Sequence, residues 1–222
     1  MLLAVDTSTQ TMGLALYDGA QALAEAYWRT KTHHTVELAP AVHDLMAKCG
    51  IPPSALQAVA CALGPGSFTS LRIGLAFAKG LAFSLNVPLL GISTFEFLVA
   101  AQPLLDFPLV AVLPAGRGRL ATGWYRNLDD KWQPDGEICI MSAEELSASI
   151  TQKTWICGEF DAEERQVLSR KYKNAVLASP ALCVRHPAMM AELAWNRWKS
   201  GESDEPVSLS PIYLHLAEAI PD

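Results

Sequence analysis

The segment Leu63-Gly64-Pro65-Gly66-Ser67-Phe68-Thr69-Ser70-Leu71-Arg72-Ile73-Gly74 constrains what this chain can fold into more than any other. An apolar run of strand length, Ala58 to Leu63, leads into it, and a long Ala- and Leu-rich stretch, Leu71 to Leu85, leads out. Gly64, Pro65 and Gly66 turn a chain where side chains do not fit. The pattern predicts a strand, a tight turn and a helix, with Ser67 or Thr69 as the helix cap. A helix N-terminus attracts anions, and Arg72 adds a charge one turn in, so Gly66, Ser67 and Arg72 are candidate phosphate contacts. A plain strand-to-helix connection explains the same residues. Ser67 does not complete a Gly-x-Ser-x-Gly nucleophile elbow, because Thr69 stands where the second Gly is needed.

Around this segment the chain reads as alternating elements. Leu2 to Val5, Met12 to Tyr17 and Ala22 to Trp28 predict three strands, the last two joined by the hairpin signal Asp18-Gly19. His34 to Cys49 predicts a helix with Leu38, Val42, Leu45 and Cys49 on one face, widened by Val36, Ala39 and Met46, and ended by Gly50 and Pro52. Leu89 to Ile92 predicts a strand, and a helix capped by Thr94 follows. Pro103 to Pro108 marks a boundary, giving domains 1–102 and 103–222. The second half predicts a strand pair, Leu109 to Leu113 and Leu120 to Tyr125, and a strand near Glu137 to Ile140. A helix from Ser142, a strand from Thr154 to Cys157 and helices near Ala162 to Lys171 and His186 to Lys199 complete it. A strand-and-helix theme thus recurs in two halves. The β-β-β-α-β-α order is that of the ribonuclease H-like domain.

Composition limits the functions. Half of the 222 residues are apolar and 18% are charged, enough for a sizeable core. A net charge of −6 disfavours a protein that grips nucleic acid by itself, which needs a basic face. Cys49, Cys61, Cys139, Cys157 and Cys183 are odd in number, form no Cys-x-x-Cys and sit in apolar runs, as reduced core thiols of a cytoplasmic protein do. The N-terminal residues do not read as a signal peptide, and Leu71 to Leu85 is short for a membrane span and carries Arg72 and Lys79. The reading is a soluble protein.

Three sets of residues are candidates for a site. Asp6-Thr7-Ser8-Thr9 follows the first strand directly, where Asp6 could orient hydrated magnesium while Thr7 and Ser8 donate to phosphate. The alternative is that they satisfy the backbone of a tight turn. The five histidines make no His-x-x-x-His or His-Glu-x-x-His, and His34 and His43, nine residues apart on one helix, fall on opposite faces. Surface or capping histidines are expected, with no bound metal. Lastly, Ser70, Gly74, Ala78 and Ala82 recur every four residues on a helix that is apolar nearly all round. Paired with the Leu38-Val42-Leu45-Cys49 face, this row offers a four-helix interface with another subunit. Burial of both faces on their own sheet is the alternative.

Together, Asp6-Thr7-Ser8, His34 to Pro40, Leu63 to Gly74 with Ala78-Lys79-Gly80-Leu81-Ala82, Pro88-x-x-Gly91-Ile92-Ser93-Thr94 and Pro211-x-Tyr213-Leu214 resemble the TsaB (YeaZ) family. The resemblance spans most of the chain and is specific mainly in the first 100 residues. It implies two tandem actin-like domains, the second truncated. It implies a non-catalytic dimerisation subunit of the bacterial machinery that threonylcarbamoylates the adenosine beside the anticodon of tRNAs reading ANN codons. Catalysis would belong to a TsaD-like partner, with a TsaE-like ATPase in the complex and a homodimer when the partner is absent. Transfer RNA would be met only through the complex, and no membrane is involved. The family implies no tightly bound cofactor and leaves ATP or ADP only an interface of the complex.

Three positions depart from the family pattern. Ser70 replaces a usual Gly, Leu113-Pro114-Ala115-Gly116-Arg117 lacks a common Asp-Ala-Arg, and His215 replaces a frequent Arg. Two other functions compete. An autonomous ATP-dependent kinase of the superfamily needs a complete nucleotide cleft. A metallopeptidase, as the old glycoprotease label would have it, needs metal ligands.

Overall fold

The computed structural model describes residues 1–30, 34–171 and 173–214. The chain divides into two compact units, one of residues 1–101 with 185–212, the other of residues 102–184 with 213–222. The second half of the sequence is therefore not one domain, as the 102/103 division expected. Residues 185–212 return to the first unit, where Met190, Ala191 and Ala194 pack, together with Phe97, on one face of its sheet.

In the first unit, β1 (Leu2–Asp6), β2 (Thr11–Tyr17) and β3 (Ala22–Arg29) form an antiparallel meander. Helix α1 (His34–Lys48) crosses to β4 (Ala58–Gly64), parallel to β1, and α2 (Phe68–Leu85) crosses to β5 (Leu89–Ser93), parallel to β4. The sheet order is β3-β2-β1-β4-β5. Helix α3 (Thr94–Ala100) follows at once, with Ser93 rather than Thr94 at its N-cap position.

Register sets the two faces. Leu3 lies between Leu16 and Val59, and Val5 between Leu14 and Cys61, so large apolar residues share one face. Leu38, Val42, Leu45 and Met46 of α1 close over Leu3, Val5, Met12, Leu14 and Leu16. Beside them, Leu75, Ala78 and Ala82 of α2 close over Val59, Cys61 and Leu89. The opposite face is lined with small residues, Ala4, Ala15, Ala58, Ala60 and Ala62. Here α6 (Pro187–Lys199) packs Met190, Ala191 and Ala194. Small side chains let a helix sit close to a sheet, and this helix comes from the far end of the sequence.

The second unit repeats the plan. Strands β6 (Leu109–Gly116), β7 (Arg119–Leu128) and β8 (Lys131–Pro134) are antiparallel, and β9 (Cys139–Met141) also pairs with β7. After α4 (Ala143–Ser149), β10 (Thr154–Gly158) runs parallel to β6; after α5 (Ala162–Ser169), β11 (Ala175–Leu177) runs parallel to β10. The order β11-β10-β6-β7-β8 matches the first sheet strand for strand. Both are ribonuclease H-like, as the element order predicts, and the chain is two tandem actin-like domains. The second is truncated: a short 3-10 turn, Pro180–Cys183, follows β11, and the helix after it joins the first unit. Strands β8 and β11 lie outside the sequence expectation.

Helix α2 has the length and apolarity of a membrane span, but Leu71, Gly74, Leu75, Ala78 and Ala82 are buried within its own unit. Of the cysteines, Cys61, Cys157 and Cys183 are buried thiols, while Cys139 is exposed on edge strand β9, against the expectation of a core residue.

Candidate functional site

The turn after β1 is built around a buried ion pair. Asp6 and Arg185 are both 0% exposed, and Arg185 Nε donates to Asp6 Oδ2 at 2.8 Å. The other Asp6 oxygen accepts from the backbone N–H of Ser8 (2.8 Å) and from its hydroxyl (2.6 Å). The Ser8 hydroxyl also contacts Thr94 Oγ1 at 2.7 Å, while Arg185 Nη2 donates to Thr9 Oγ1 (3.1 Å) and Thr11 Oγ1 (2.9 Å). Thr7 donates to the Ser70 carbonyl at 2.7 Å. Burying a carboxylate needs such pairing plus hydrogen bonds to its remaining lone pairs. Both Asp6 oxygens thus have protein partners, Arg185 on one and Ser8 on the other.

The Gly-Pro-Gly turn closes the same spot from the other side. Ser67 N–H donates to the Ser8 carbonyl at 2.6 Å, and a Cβ on Gly66 would collide with that carbonyl. Ser67 caps α2, its Oγ accepting from the N–H and hydroxyl of Ser70. Arg72 turns outward onto the Phe68 ring, its guanidinium carbon 3.6 Å from the centroid. Asp6, Thr7, Ser8, Gly66 and Ser67 do come together, but against one another. Of the residues expected at a phosphate, Asp6, Thr7, Ser8, Gly66 and Ser67 hydrogen-bond or pack against one another, and Arg72 lies over Phe68.

The residues expected at a partner interface lie mainly on the inner faces of their helices. Leu38, Val42 and Leu45 are buried on their own sheet, and Cys49 packs at the edge of that cluster. Ser70, Gly74, Ala78 and Ala82 also face inward. Gly74 is glycine because a Cβ there would strike the Thr7 side chain. The small-residue row brings α2 close to its own sheet and turn rather than to a second molecule.

What the two helices turn outward is a different stripe. On α2 it runs through Phe68, Arg72, Ala76, Gly80 and Phe83, with Phe68 52% and Phe83 89% exposed. On α1 it runs through Val36, Ala39, Pro40 and His43, with Val36 66% exposed. Pro40 sits mid-helix on this outer side. The helices pack against one another, and each carries exposed apolar residues, Val36 on α1 and Phe68 and Phe83 on α2.

The histidines separate as their spacing requires. His43 is exposed and pairs with Asp44. His34, expected at the surface, is buried at the start of α1 with Nε2 lacking a partner. Burial lowers its pKa from the ordinary value. His186 precedes α6 and contacts Glu25; His33 and His215 lie outside the described residues. Among the described residues no three His, Cys, Asp or Glu side chains are grouped to hold a metal ion.

A family model described as "TsaD: tRNA N6-adenosine threonylcarbamoyltransferase" matches residues 28–157. The Bacillus subtilis "tRNA threonylcarbamoyladenosine biosynthesis protein TsaB" is 32% identical over 221 residues, 98% of this chain and 95% of that one. The chain belongs to the TsaB family. Its structure is similar to that of YeaZ from Pseudomonas aeruginosa, with a TM-score of 0.76 and 26% identity over 96% of this chain and 99% of that chain. A Legionella pneumophila "tRNA N6-adenosine threonylcarbamoyltransferase" is 32% identical over 136 residues, covering 52% of this chain and 41% of that one. Where this TsaB-family chain departs from the usual Asp-Ala-Arg, Gly116-Arg117-Gly118-Arg119 closes the β6–β7 hairpin. Arg117 (φ 52°) and Gly118 (φ 66°) both take the left-handed conformation that such a two-residue turn requires.

Residue reasoning missed Arg185 and the outward stripe. Arg185 carried no local signal, since its partner is 179 positions away. Phe83 did carry one, since it stands off the small-residue row of its helix; Val36 reads as widening the Leu38-Val42-Leu45-Cys49 face, and the structure turns it outward instead.

Proposed function

We propose that this chain is a non-catalytic scaffold in tRNA threonylcarbamoyladenosine biosynthesis, and that its α1–α2 outer surface binds a TsaD-like threonylcarbamoyltransferase. Membership in the TsaB family supports the process. The resemblance of residues 28–157 to the transferase family supports the partner, because homologous subunits commonly pair through equivalent surfaces. The observation that carries the reading is the stripe of Phe68, Phe83 and Val36, large apolar side chains left exposed on two adjacent helices. The ion pair at Asp6 supports the non-catalytic part, because the first unit keeps no open carboxylate beside its phosphate-loop position.

In this reading the same surface forms a homodimer when the transferase is absent. A TsaE-like ATPase completes the assembly, nucleotide enters only at an interface of that assembly, and tRNA is held by the complex in the cytoplasm. A specific pairing would bury about 800 Å² per partner. The test is sedimentation of the chain with the purified transferase, comparing Phe83→Asp with Ala78→Arg. Phe83→Asp should stay folded and weaken pairing about 30-fold or more, as loss of a buried aromatic anchor does. Ala78→Arg should lose its circular dichroism spectrum, because Ala78 is 0% exposed. Unchanged pairing by folded Phe83→Asp, together with unchanged pairing by Val36→Asp, would place the interface elsewhere.

A further inference from the structure

Strand β10 and the turn after β11 set two buried thiols next to one residue, Ala178. Ala178 N–H donates to the Ile156 carbonyl at 2.9 Å, which sets Ala178 beside Cys157 at the end of the parallel β10–β11 pairing. Cys183, five residues on, lays its Sγ against the Ala178 carbonyl at 3.8 Å. Ala178 is thus flanked by Cys157 in the neighbouring strand and by Cys183 folded back over it. Both sulfurs belong to the second unit, with Cys157 0% and Cys183 9% exposed. Arg165 of α5 completes the group: its Nη2 donates to the Ala178 carbonyl at 3.1 Å and contacts Cys183 Sγ at 3.8 Å.

We infer that Cys157 and Cys183 are a reversible thiol pair, closed to a disulfide by hydroperoxides, with Arg165 holding the sulfur that reacts first. A thiol beside a cation is the nucleophilic kind, and a thiol in apolar surroundings is the inert kind. Cys183 has the cation. Cys157 has the apolar site, and its burial, with Cys183 as a second cause, pushes its thiol well up. The order of events follows. Cys183 sulfur attacks one peroxide oxygen; the O–O bond breaks, Cys183 becomes a sulfenic acid, and its proton leaves with the departing hydroxide as water. Cys157 sulfur then attacks the sulfenic sulfur; the S–O bond breaks, and the Cys157 proton leaves with that hydroxide as a second water. The two thiols give up two electrons and two protons in all, and hydrogen peroxide is reduced to two waters. A dithiol reductant reverses the bond by exchange. The bond would tie β10 to the turn at Pro180–Cys183, the last element before the chain leaves the second unit at Arg185.

The experiment treats the full native chain with graded hydrogen peroxide, then denatures it in a thiol-blocking reagent and digests it without reductant. Mass spectrometry should find one cross-linked peptide pair joining Cys157 to Cys183, two hydrogens lighter than the sum of the free peptides and split by dithiothreitol. Cys183→Ser should abolish it. Folded Arg165→Leu should form it about tenfold more slowly, the rate worth of one charge-assisted hydrogen bond. Recovery of Cys157 and Cys183 as separately blocked thiols, while exposed Cys139 takes up the oxidant, would overturn the inference. So would the same cross-link forming equally fast in urea, since the pairing would then owe nothing to the fold.

Discussion

Replacing Arg185 by Met removes a charge from a site that water does not reach. Met keeps only the aliphatic part of the arginine side chain, and Asp6 keeps a carboxylate at 0% exposure with its ion partner gone. Thr9 and Thr11 lose the donor that now serves their hydroxyls. Breaking a buried ion pair from one side costs about 3–5 kcal/mol. For a chain of this size 1 kcal/mol moves the melting temperature by about 2–4 °C, so Arg185→Met should melt about 6–20 °C lower. Asp6→Asn in the same chain removes the stranded charge while leaving an oxygen for Ser8 N–H, and should recover about 1–3 kcal/mol. The four proteins make a double-mutant cycle, read by thermal circular dichroism and by hydrogen exchange in β1, β2 and α6. Those elements should lose protection together. A coupling energy below about 0.5 kcal/mol, the range of independent sites, would refute the argument.

Other expectations follow from single residues. His34 is buried with its pKa lowered, so the unfolded chain binds a proton there more readily than the folded one. Stability should therefore fall as pH drops below about 6.5, the unfolded value, and denaturant titrations of His34→Gln should lose that slope. Gly66→Ala should fold poorly, since its Cβ meets the Ser8 carbonyl, whereas Gly80→Ala, with open space around it, should be tolerated in the same melt. Ser142→Ala breaks the capping box with Glu145 at the start of α4 and should cost about 1 kcal/mol by urea titration.

The strands that a hairpin or an apolar run announces were readable, because those signals are local. Asp18-Gly19 and the large residues at Leu3, Val5, Leu14 and Leu16 specify register as well as strand. Strand β8, Lys131–Pro134, shows no apolar alternation, as it is an exposed edge held by β7 alone. The α2 row has a physical lesson. Periodicity shows that a helix has an apolar or small face, not what covers it. A row of Ser70, Gly74, Ala78 and Ala82 suits close approach to a sheet as well as to another helix, and the sheet of its own unit took it. The partner surface proposed above then falls to larger residues such as Phe83, which stand out only once the inner face is assigned. No local rule predicts Arg185, because its role depends on α6 folding back onto β1 and β2.

That return of α6 fixes an order of events during synthesis. The alanine-lined face of the first sheet is complete once β5 has been made, yet its cover, Pro187–Lys199, lies about a hundred residues later. At translation rates of about 5–20 residues per second, the growing chain carries that face with Phe97 but without α6 for on the order of 5–20 s. Throughout that time Asp6 also lacks its guanidinium. The first unit is thus closed by α6, and a fragment ending near residue 102 would present a nascent intermediate rather than a domain.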